Sequence, residues 1–177
     1  MVTKDAAMKN GFTIRGLEAG DLTRIAAIEG GPAWNADAGL WQRYLADVAQ
    51  GSRIVLLASE GDDVVGYGTL LWTSDYPPFK AAGIPEINNL VVAQSARGGG
   101  IATAMIGEFE RLAASARCAA IGLGVGLYAD YGAAQRLYVR LGYQPDGRGI
   151  TYRETPVVPD QSVRVDDDLV LWLTKTL

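Results

Sequence analysis

The sequence predicts an α/β or α+β fold in which a mixed sheet carries helices on both faces. Apolar segments of strand length dominate the first half of the 177-residue chain, whereas strand and helix patterns alternate in the second half. No internal repeat, low-complexity tract or linker interrupts these segments. We therefore expect a single domain that spans residues 1–177.

The first half contains two predicted helices and three predicted strands, two of which form a hairpin. Residues 12–15 alternate as a strand does, and Asp21 is placed to cap a first helix that ends at the glycines and proline of 30–32. A second helix is predicted over 37–50. Residues 53–59 and 64–72 then read as two strands joined by a tight turn at Gly61-Asp62-Asp63.

The second half begins with a predicted loop from Ser74 to Pro85, which holds three prolines. A strand is predicted over 86–92, and a helix with apolar residues at helical spacing follows the glycines near residue 100. The remaining elements are listed in chain order: a strand over 118–125, a helix over 132–141 ended by Gly142, and strands over 149–153 and 168–173. The predicted order is β-α-α-β-β-β-α-β-α-β-β.

Composition excludes several classes of site. The formal net charge of −4 argues against a nucleic-acid partner and is compatible with a cationic substrate. The chain has no histidine and one cysteine, Cys118, which excludes a Ser-His-Asp triad, a Cys-His pair and a zinc site built from these ligands. We expect no metal, and any acid–base chemistry falls to Glu, Asp, Tyr, Lys or water.

Targeting signals are not evident in the sequence. The first twelve residues lack the apolar core of a signal peptide, and no apolar run reaches the length of about 18 residues that a membrane span needs. We therefore expect a cytoplasmic protein without a membrane partner.

A glycine-rich turn between a strand and a helix is the most informative segment. The strand end Leu90–Val92 is followed by Arg97–Ala102, which has three consecutive glycines, and then by the helix. The first N–H groups of a helix lack intrahelical partners, and glycines let a phosphate approach the backbone. This order predicts a site for a phosphorylated ligand, to which Arg97 adds a positive charge.

A second glycine pattern resembles a dinucleotide-binding motif but does not predict a dinucleotide site. Residues 124–129, GVGLYA, fit the dinucleotide-binding pattern G-x-G-x-x-G/A, and Asp146 follows at about the expected distance. A dinucleotide fold needs further parallel strands after this point, and too little chain remains. We interpret these glycines as permitting close packing and chain reversal after the strand.

Two motifs together resemble the GNAT superfamily of acyl-CoA-dependent N-acetyltransferases. The family's pyrophosphate loop, Gln/Arg-x-x-Gly-x-Gly/Ala, is matched by Arg97–Ala102, RGGGIA. The family segment A-x-x-L-Y-x-x-x-G-F/Y is matched by Ala133–Tyr143, AAQRLYVRLGY. The resemblance extends from Phe12 to Leu173. It implies a central, twisted, mostly antiparallel sheet of six to seven strands and acetyl-CoA as co-substrate.

The resemblance also implies the residues that bind acetyl-CoA. The diphosphate would bind backbone N–H groups of the loop, which consists of Arg97, Gly98, Gly99, Gly100, Ile101 and Ala102. The pantetheine arm would pair with the strand end formed by Leu90, Val91 and Val92, where a backbone N–H near Val92 would polarise the thioester carbonyl. Tyr131 stands where many members carry an asparagine that contacts the cofactor.

Catalytic roles follow from the same resemblance. Tyr138 would donate a proton to the leaving thiolate, and Glu86 would act through water as the general base, because an amine acceptor must lose a proton. Two aromatic residues of the proline-rich loop, Tyr76 and Phe79, are unexpected in a solvated loop. We expect them to line an acceptor pocket.

These expectations define an enzyme that transfers an acetyl group from acetyl-CoA to a primary amine by direct attack in a ternary complex. The acceptor is a small molecule or a peptide, and it stays open among aminoglycosides, polyamines, peptide N-termini, lysine side chains and amino-acid-like antibiotics. A non-catalytic acyl-CoA-binding or sensor protein is the alternative, against which Tyr138 and Glu86 argue. A homodimer through the C-terminal strands is common in the family and is an analogy only.

Overall fold

The computed structural model describes residues 7–9, 11–26 and 38–177. In these residues the elements are β1 (Ala7–Lys9), β2 (Phe12–Gly16), α1 (Asp21–Ala26), α2 (Ala38–Gln50), β3 (Arg53–Glu60), β4 (Asp63–Leu71), α3 (Pro77–Ala82), β5 (Glu86–Val92), α4 (Ile101–Ser115), β6 (Ala120–Gly126), α5 (Gly132–Arg140), β7 (Gln144–Tyr152), β8 (Thr155–Pro156) and β9 (Leu169–Thr176). The fold is mixed α/β with a mostly antiparallel sheet, as predicted. Nine strands occur in the described residues instead of six to seven, because β1 and β8 are too short to produce a periodic pattern.

The described residues form two compact units, and β5 contributes to both. The first unit comprises the described parts of Met1–Leu71 together with Asn88–Glu108. Its strands are hydrogen-bonded in the order β1-β2-β3-β4-β5, with antiparallel pairing from β1 to β4. The predicted end of the first helix at 30–32 and the predicted start of the second at 37 lie outside the described residues. The one-domain expectation stays a prediction.

Helices cover both faces of the β3–β4 hairpin in the first unit. Leu57 and its partner Tyr67 belong to a buried cluster with Trp41 and Tyr44 of α2. The neighbouring pair, Ala58 and Gly66, points to the opposite face, since side chains alternate along a strand. There a Cβ on Gly66 would lie 3.4 Å from the side chain of Ile101 at the start of α4.

The second unit comprises Trp72–Ile87 and Phe109–Leu177. Its strands are hydrogen-bonded in the order β5-β6-β9-β7-β8. The β5–β6 pairing is parallel, and β9 pairs antiparallel with both β6 and β7. No helix in the described ranges combines the length and apolar character that a membrane crossing needs.

Three alternate glycines of β6 make room for aromatic rings in the second unit. A Cβ on Gly122 would lie 2.2 Å from the Phe79 ring, and one on Gly126 would lie 2.4 Å from the Tyr131 ring. At Gly124 the nearest atoms belong to Val170, at 2.7 Å, and to the Trp172 ring, at 3.2 Å. The interpretation of Gly124 and Gly126 as close-packing residues is confirmed.

The rings above this glycine stripe pack on one another. The Tyr76 ring stacks on Trp172 with centroids 4.2 Å apart and an interplanar angle of 2°, and Phe79 meets Trp172 edge-on at 5.3 Å. The polar atoms of this cluster are satisfied, because Trp172 Nε1 donates to Thr151 Oγ1 at 2.8 Å and the Tyr76 hydroxyl donates to Asp146 Oδ2 at 2.8 Å. The cluster is therefore a rigid aromatic layer.

Two predictions of local structure were wrong. The segment Ser74–Pro85 is not all loop, because α3 forms within it. Two prolines occupy its first turn, where a missing N–H costs nothing, and Gly83 ends it with a φ of 64°. Asp21 is the first residue of α1, where its buried carboxylate accepts hydrogen bonds from Arg15 and from the Glu18 N–H. The Arg15 guanidinium lowers the pKa of Asp21. Asp21 therefore forms an ion pair with Arg15 where a helix cap was expected.

We predict that Gly122→Ala destabilises the chain by about 1–3 kcal/mol, as overpacked cores do. The added methyl group would meet the Phe79 ring, which cannot retreat because it is buried against Tyr76 and Trp172. Chemical denaturation measures the change. Gly107→Ala in α4 is the control: nothing lies within 4 Å of its Cβ position, so stability should rise by up to about 1 kcal/mol. An unchanged midpoint for Gly122→Ala in a Phe79→Leu background, but not in the wild type, would identify the ring as the cause.

Candidate functional site

The glycine-rich loop of the first unit has the geometry of an anion site. Gly98 and Gly100 have φ values of 84° and 89°, a region that residues with a Cβ rarely adopt. The first intrahelical bond of α4 runs from the Ala104 N–H to the Gly100 carbonyl at 2.9 Å. The N–H groups of residues 101–103 therefore have no acceptor within the helix, and the helix dipole adds positive character there.

Arg97 ties this loop to the strand that precedes it. Its Nε donates to the Val92 carbonyl at 3.1 Å, while Arg97 itself is exposed. Gly98, Gly99 and Gly100 are also exposed, whereas Ile101 is buried and anchors the start of the helix. The structure thus brings the predicted loop and the predicted strand end together, with the backbone on the surface.

The strand β5 is interrupted at Asn89. Its pairing with β6 consists of Glu86 with Gly122 and Ile87 with Leu123, although both strands continue beyond these pairs. Asn89 has a φ of 49°, the left-handed region. Leu90–Val92 follow this interruption, and the next N–H, of Ala93, donates to the Val65 carbonyl at 2.8 Å.

Polar side chains from elements distant in sequence form hydrogen bonds with Asn88 and Asn89. Thr69 Oγ1 donates to the Asn88 carbonyl at 3.2 Å, and Asn89 Nδ2 donates to the Tyr44 hydroxyl at 2.7 Å. Sequence reasoning missed these partners, because Tyr44 fits the apolar face of a helix and Thr69 fits a strand. The signal was the polar pair Asn88-Asn89 inside an otherwise apolar strand.

Glu86, the predicted base, is a buried carboxylate at the start of β5. It is 5% exposed, and Ser74, with no exposed surface, donates its hydroxyl to Glu86 Oε2 at 2.5 Å. The same Ser74 oxygen accepts from the Tyr76 N–H at 3.0 Å. The carboxylate is therefore held in one orientation by the segment that leads into α3. Ser74 was not among the predicted residues.

Tyr76 and Phe79, predicted to line an acceptor pocket, belong to the aromatic layer. Tyr76 is 2% exposed and Phe79 is 1% exposed, and both rings contact Trp172. Tyr76 is linked to Glu86 through Ser74, which accepts from the Tyr76 N–H and donates to Glu86. One predicted pocket residue is therefore a neighbour of the predicted base. A role in contacting the acceptor stays a prediction.

Tyr131 and Tyr138 lie before and within α5. Tyr138 is 8% exposed, and burial raises the pKa of its phenol to about 12, so it keeps its proton at neutral pH. The Tyr131 hydroxyl donates to Asp167 Oδ1 at 2.9 Å, and burial together with this carboxylate raises its pKa. Toward a ligand, the Tyr131 oxygen is therefore a hydrogen-bond acceptor. Tyr128 donates to the same Asp167 oxygen.

The chain matches a family model. The model of the acetyltransferase (GNAT) family matches residues 23–143, which include the glycine-rich loop and Tyr138. No curated protein matches the sequence.

Several solved structures resemble this one. A ribosomal-protein-alanine N-acetyltransferase from Brucella melitensis is 21% identical, with 93% of this chain and 99% of that chain covered and a TM-score of 0.67. A GNAT family acetyltransferase from Elizabethkingia anophelis with acetyl-CoA bound is 19% identical, with 96% and 100% covered and a TM-score of 0.62. A spermidine/spermine N-acetyltransferase from Vibrio cholerae is 16% identical, with 96% and 95% covered and a TM-score of 0.64.

At these identities the likeness to solved structures concerns the fold. The assignment to a family rests on the family model, which matches well over half of the chain. The chain belongs to the GNAT family of acetyltransferases.

Proposed function

We propose that the chain transfers an acetyl group from acetyl-CoA to the nitrogen of a primary amine, by direct attack in a ternary complex. The observation that carries this proposal is the start of α4, where N–H groups without intrahelical acceptors follow two glycines of positive φ. Such a backbone fits a diphosphate, because no Cβ at residue 98 or 100 would stand in its path.

The strand end supports the proposal for the rest of the co-substrate. Beyond Ile87, β5 has no paired residue in β6 in the described part of the chain. A strand offers its N–H and C=O groups alternately to its two sides, so Leu90–Val92 retain backbone groups that the pantetheine amides would satisfy. We propose that the N–H near Val92 donates to the thioester carbonyl. The similar protein from Elizabethkingia anophelis contains bound acetyl-CoA.

The chain's own residues divide the proton transfers. When bound, acetyl-CoA supplies the acyl group as a thioester. Glu86 accepts, through water, the proton that the amine must lose before its nitrogen attacks. Tyr138 then donates its phenol proton to the sulfur as the new C–N bond forms and the C–S bond breaks, and the proton that the nitrogen loses on becoming an amide restores the phenol. A buried phenol with a pKa of about 12 holds this proton ready at neutral pH.

The proposed acceptor is a primary amine of a small molecule or a peptide. The similar structures include a spermidine/spermine N-acetyltransferase and a ribosomal-protein-alanine N-acetyltransferase, one from each of these acceptor classes. The net charge of −4 is compatible with a cationic acceptor. An acceptor panel therefore contains spermidine, an aminoglycoside, free lysine and a peptide with a free N-terminal alanine.

We predict saturable one-site binding of acetyl-CoA, measured by isothermal titration, with no binding of NAD. Gly100→Val should abolish binding, because a β-branched residue resists a φ of 89° and would alter the backbone that meets the diphosphate. Gly99→Ala is the matched control: its φ is not in the positive range and its Cβ would make only an ordinary contact at 3.5 Å with the Ala96 carbonyl. Equal affinity in the wild type and Gly100→Val would remove the loop from the proposal.

We predict that Tyr138→Phe lowers kcat by about 100-fold or more, the usual contribution of a general acid, and leaves the affinity for acetyl-CoA unchanged. Thiol release with the best acceptor of the panel measures the rate, and Tyr152→Phe, a tyrosine outside the motif, is the control. Because the raised pKa keeps the phenol protonated below about pH 12, Tyr138 should cause no loss of rate between pH 7 and 10. An alkaline loss that disappears in Tyr138→Phe would contradict this assignment. Acetyl-CoA binding without thiol release for any acceptor would favour the sensor alternative.

A further inference from the structure

We infer that Tyr44 and Thr69 are positioning residues that hold β5 in its left-handed turn at Asn89, so that Leu90–Val92 present their backbone to the acetyl group. The inference rests on the proposed function, since it takes this strand end as the part that contacts acetyl-CoA. Neither side chain is assigned a contact with the ligand. Their role is to fix the backbone that makes it.

The turn is a local departure from strand geometry that needs support. Asn89 has a φ of 49° in the middle of a seven-residue strand. Asparagine tolerates this region better than most residues, but its backbone does not continue a regular ladder there. Asn89 is also exposed, so packing around its side chain does not hold the turn. Side-chain hydrogen bonds add to the support that the pairing with β4 gives.

Two hydrogen bonds join buried residues to the turn, one at the Asn88 carbonyl and one at the Asn89 side chain. Thr69, with no exposed surface, donates to the Asn88 carbonyl at 3.2 Å. Tyr44, 2% exposed, accepts from the Asn89 side-chain amide at 2.7 Å. Both are rigidly placed, Thr69 in β4 and Tyr44 in α2.

Arg53 orients both partners. Its Nη1 donates to Thr69 Oγ1 at 2.9 Å, which uses an acceptor site of the hydroxyl and directs the hydroxyl proton to the Asn88 carbonyl. Its guanidinium carbon lies 4.7 Å from the centroid of the Tyr44 ring, and Asp47 balances its charge at 3.0 Å. A charged side chain that is only 13% exposed is costly in a core. Its contacts with Thr69, Tyr44 and Asp47 explain its presence there.

The segment after the turn is fixed at its other end as well. The Ala93 N–H donates to the Val65 carbonyl at 2.8 Å. Leu90–Val92 lie between these two anchors and beside β4, so we expect loss of the anchor at Asn88–Asn89 to shift the N–H groups that follow it. The diphosphate loop, in contrast, begins beyond the second anchor.

The strand end and the diphosphate loop can therefore be tested separately. The experiment compares the dissociation constants of acetyl-CoA and of CoA, each measured by isothermal titration. Tyr44→Phe and Thr69→Val should reduce the preference for acetyl-CoA over CoA by about 3- to 10-fold, the effect of one hydrogen bond, because CoA shares the pantetheine arm but has no thioester carbonyl to lose its donor. Thr69→Ser keeps the hydroxyl and should restore the preference. Ile25→Val, in the same buried cluster, should cost stability and leave the preference unchanged.

A double-mutant cycle isolates the tether. Asn89→Gly permits the positive φ but removes the amide, so Tyr44→Phe should have no further effect in that background. An effect of Tyr44→Phe that is equally large in the wild type and in the Asn89→Gly variant overturns the inference, as does a preference that neither Tyr44→Phe nor Thr69→Val changes. A wild type that binds CoA and acetyl-CoA equally also overturns it, while the loop site stands. Absence of binding to both ligands contradicts the proposed function itself.

Discussion

The candidate acetyl-CoA site depends on one constraint, the left-handed backbone of Asn89 within β5. β5 begins as a parallel partner of β6, and its pairing stops after Ile87. Asn89 has a left-handed backbone, and Leu90–Val92 follow it without a partner in β6 in the described residues. The Val92 carbonyl receives Arg97, which fixes the loop relative to the strand end. In a regular strand of this sheet, the two neighbouring strands would satisfy these backbone groups and leave none for a ligand.

The second unit depends on an opposite device, the removal of side chains. At Gly122, Gly124 and Gly126 the strand gives up three side chains on one face, and rings from α3, from β9 and from the turn before α5 use the space. The resulting layer packs at van der Waals distance and leaves its polar edges hydrogen-bonded. Glycine normally weakens a strand, and the burial of large aromatic surfaces offsets that cost.

Local patterns predicted the parts of the fold that local physics determines. The bounds of β5 agree with the prediction, and α5 differs by one residue, because apolar periodicity and glycine stops mark both. The anchors of Asn89 could not be found in this way, since Tyr44 lies 45 residues away along the chain. The burial of Tyr76 depends on Trp172, which is even more distant. Contacts of this kind have no periodicity, so only the folded chain reveals them.

In the proposed mechanism, a chain without histidine assigns its acid and base roles to other side chains. Direct attack suits this constraint, because it requires no nucleophile from the protein and no residue that takes and returns the same proton. In the proposed mechanism, the buried Glu86 carboxylate held by Ser74 accepts a proton, and the buried Tyr138 phenol, whose raised pKa retains its proton at neutral pH, donates one. The two roles are then set by side-chain type and burial. The Ser74 hydroxyl helps to orient the Glu86 carboxylate, and burial surrounds the Tyr138 phenol.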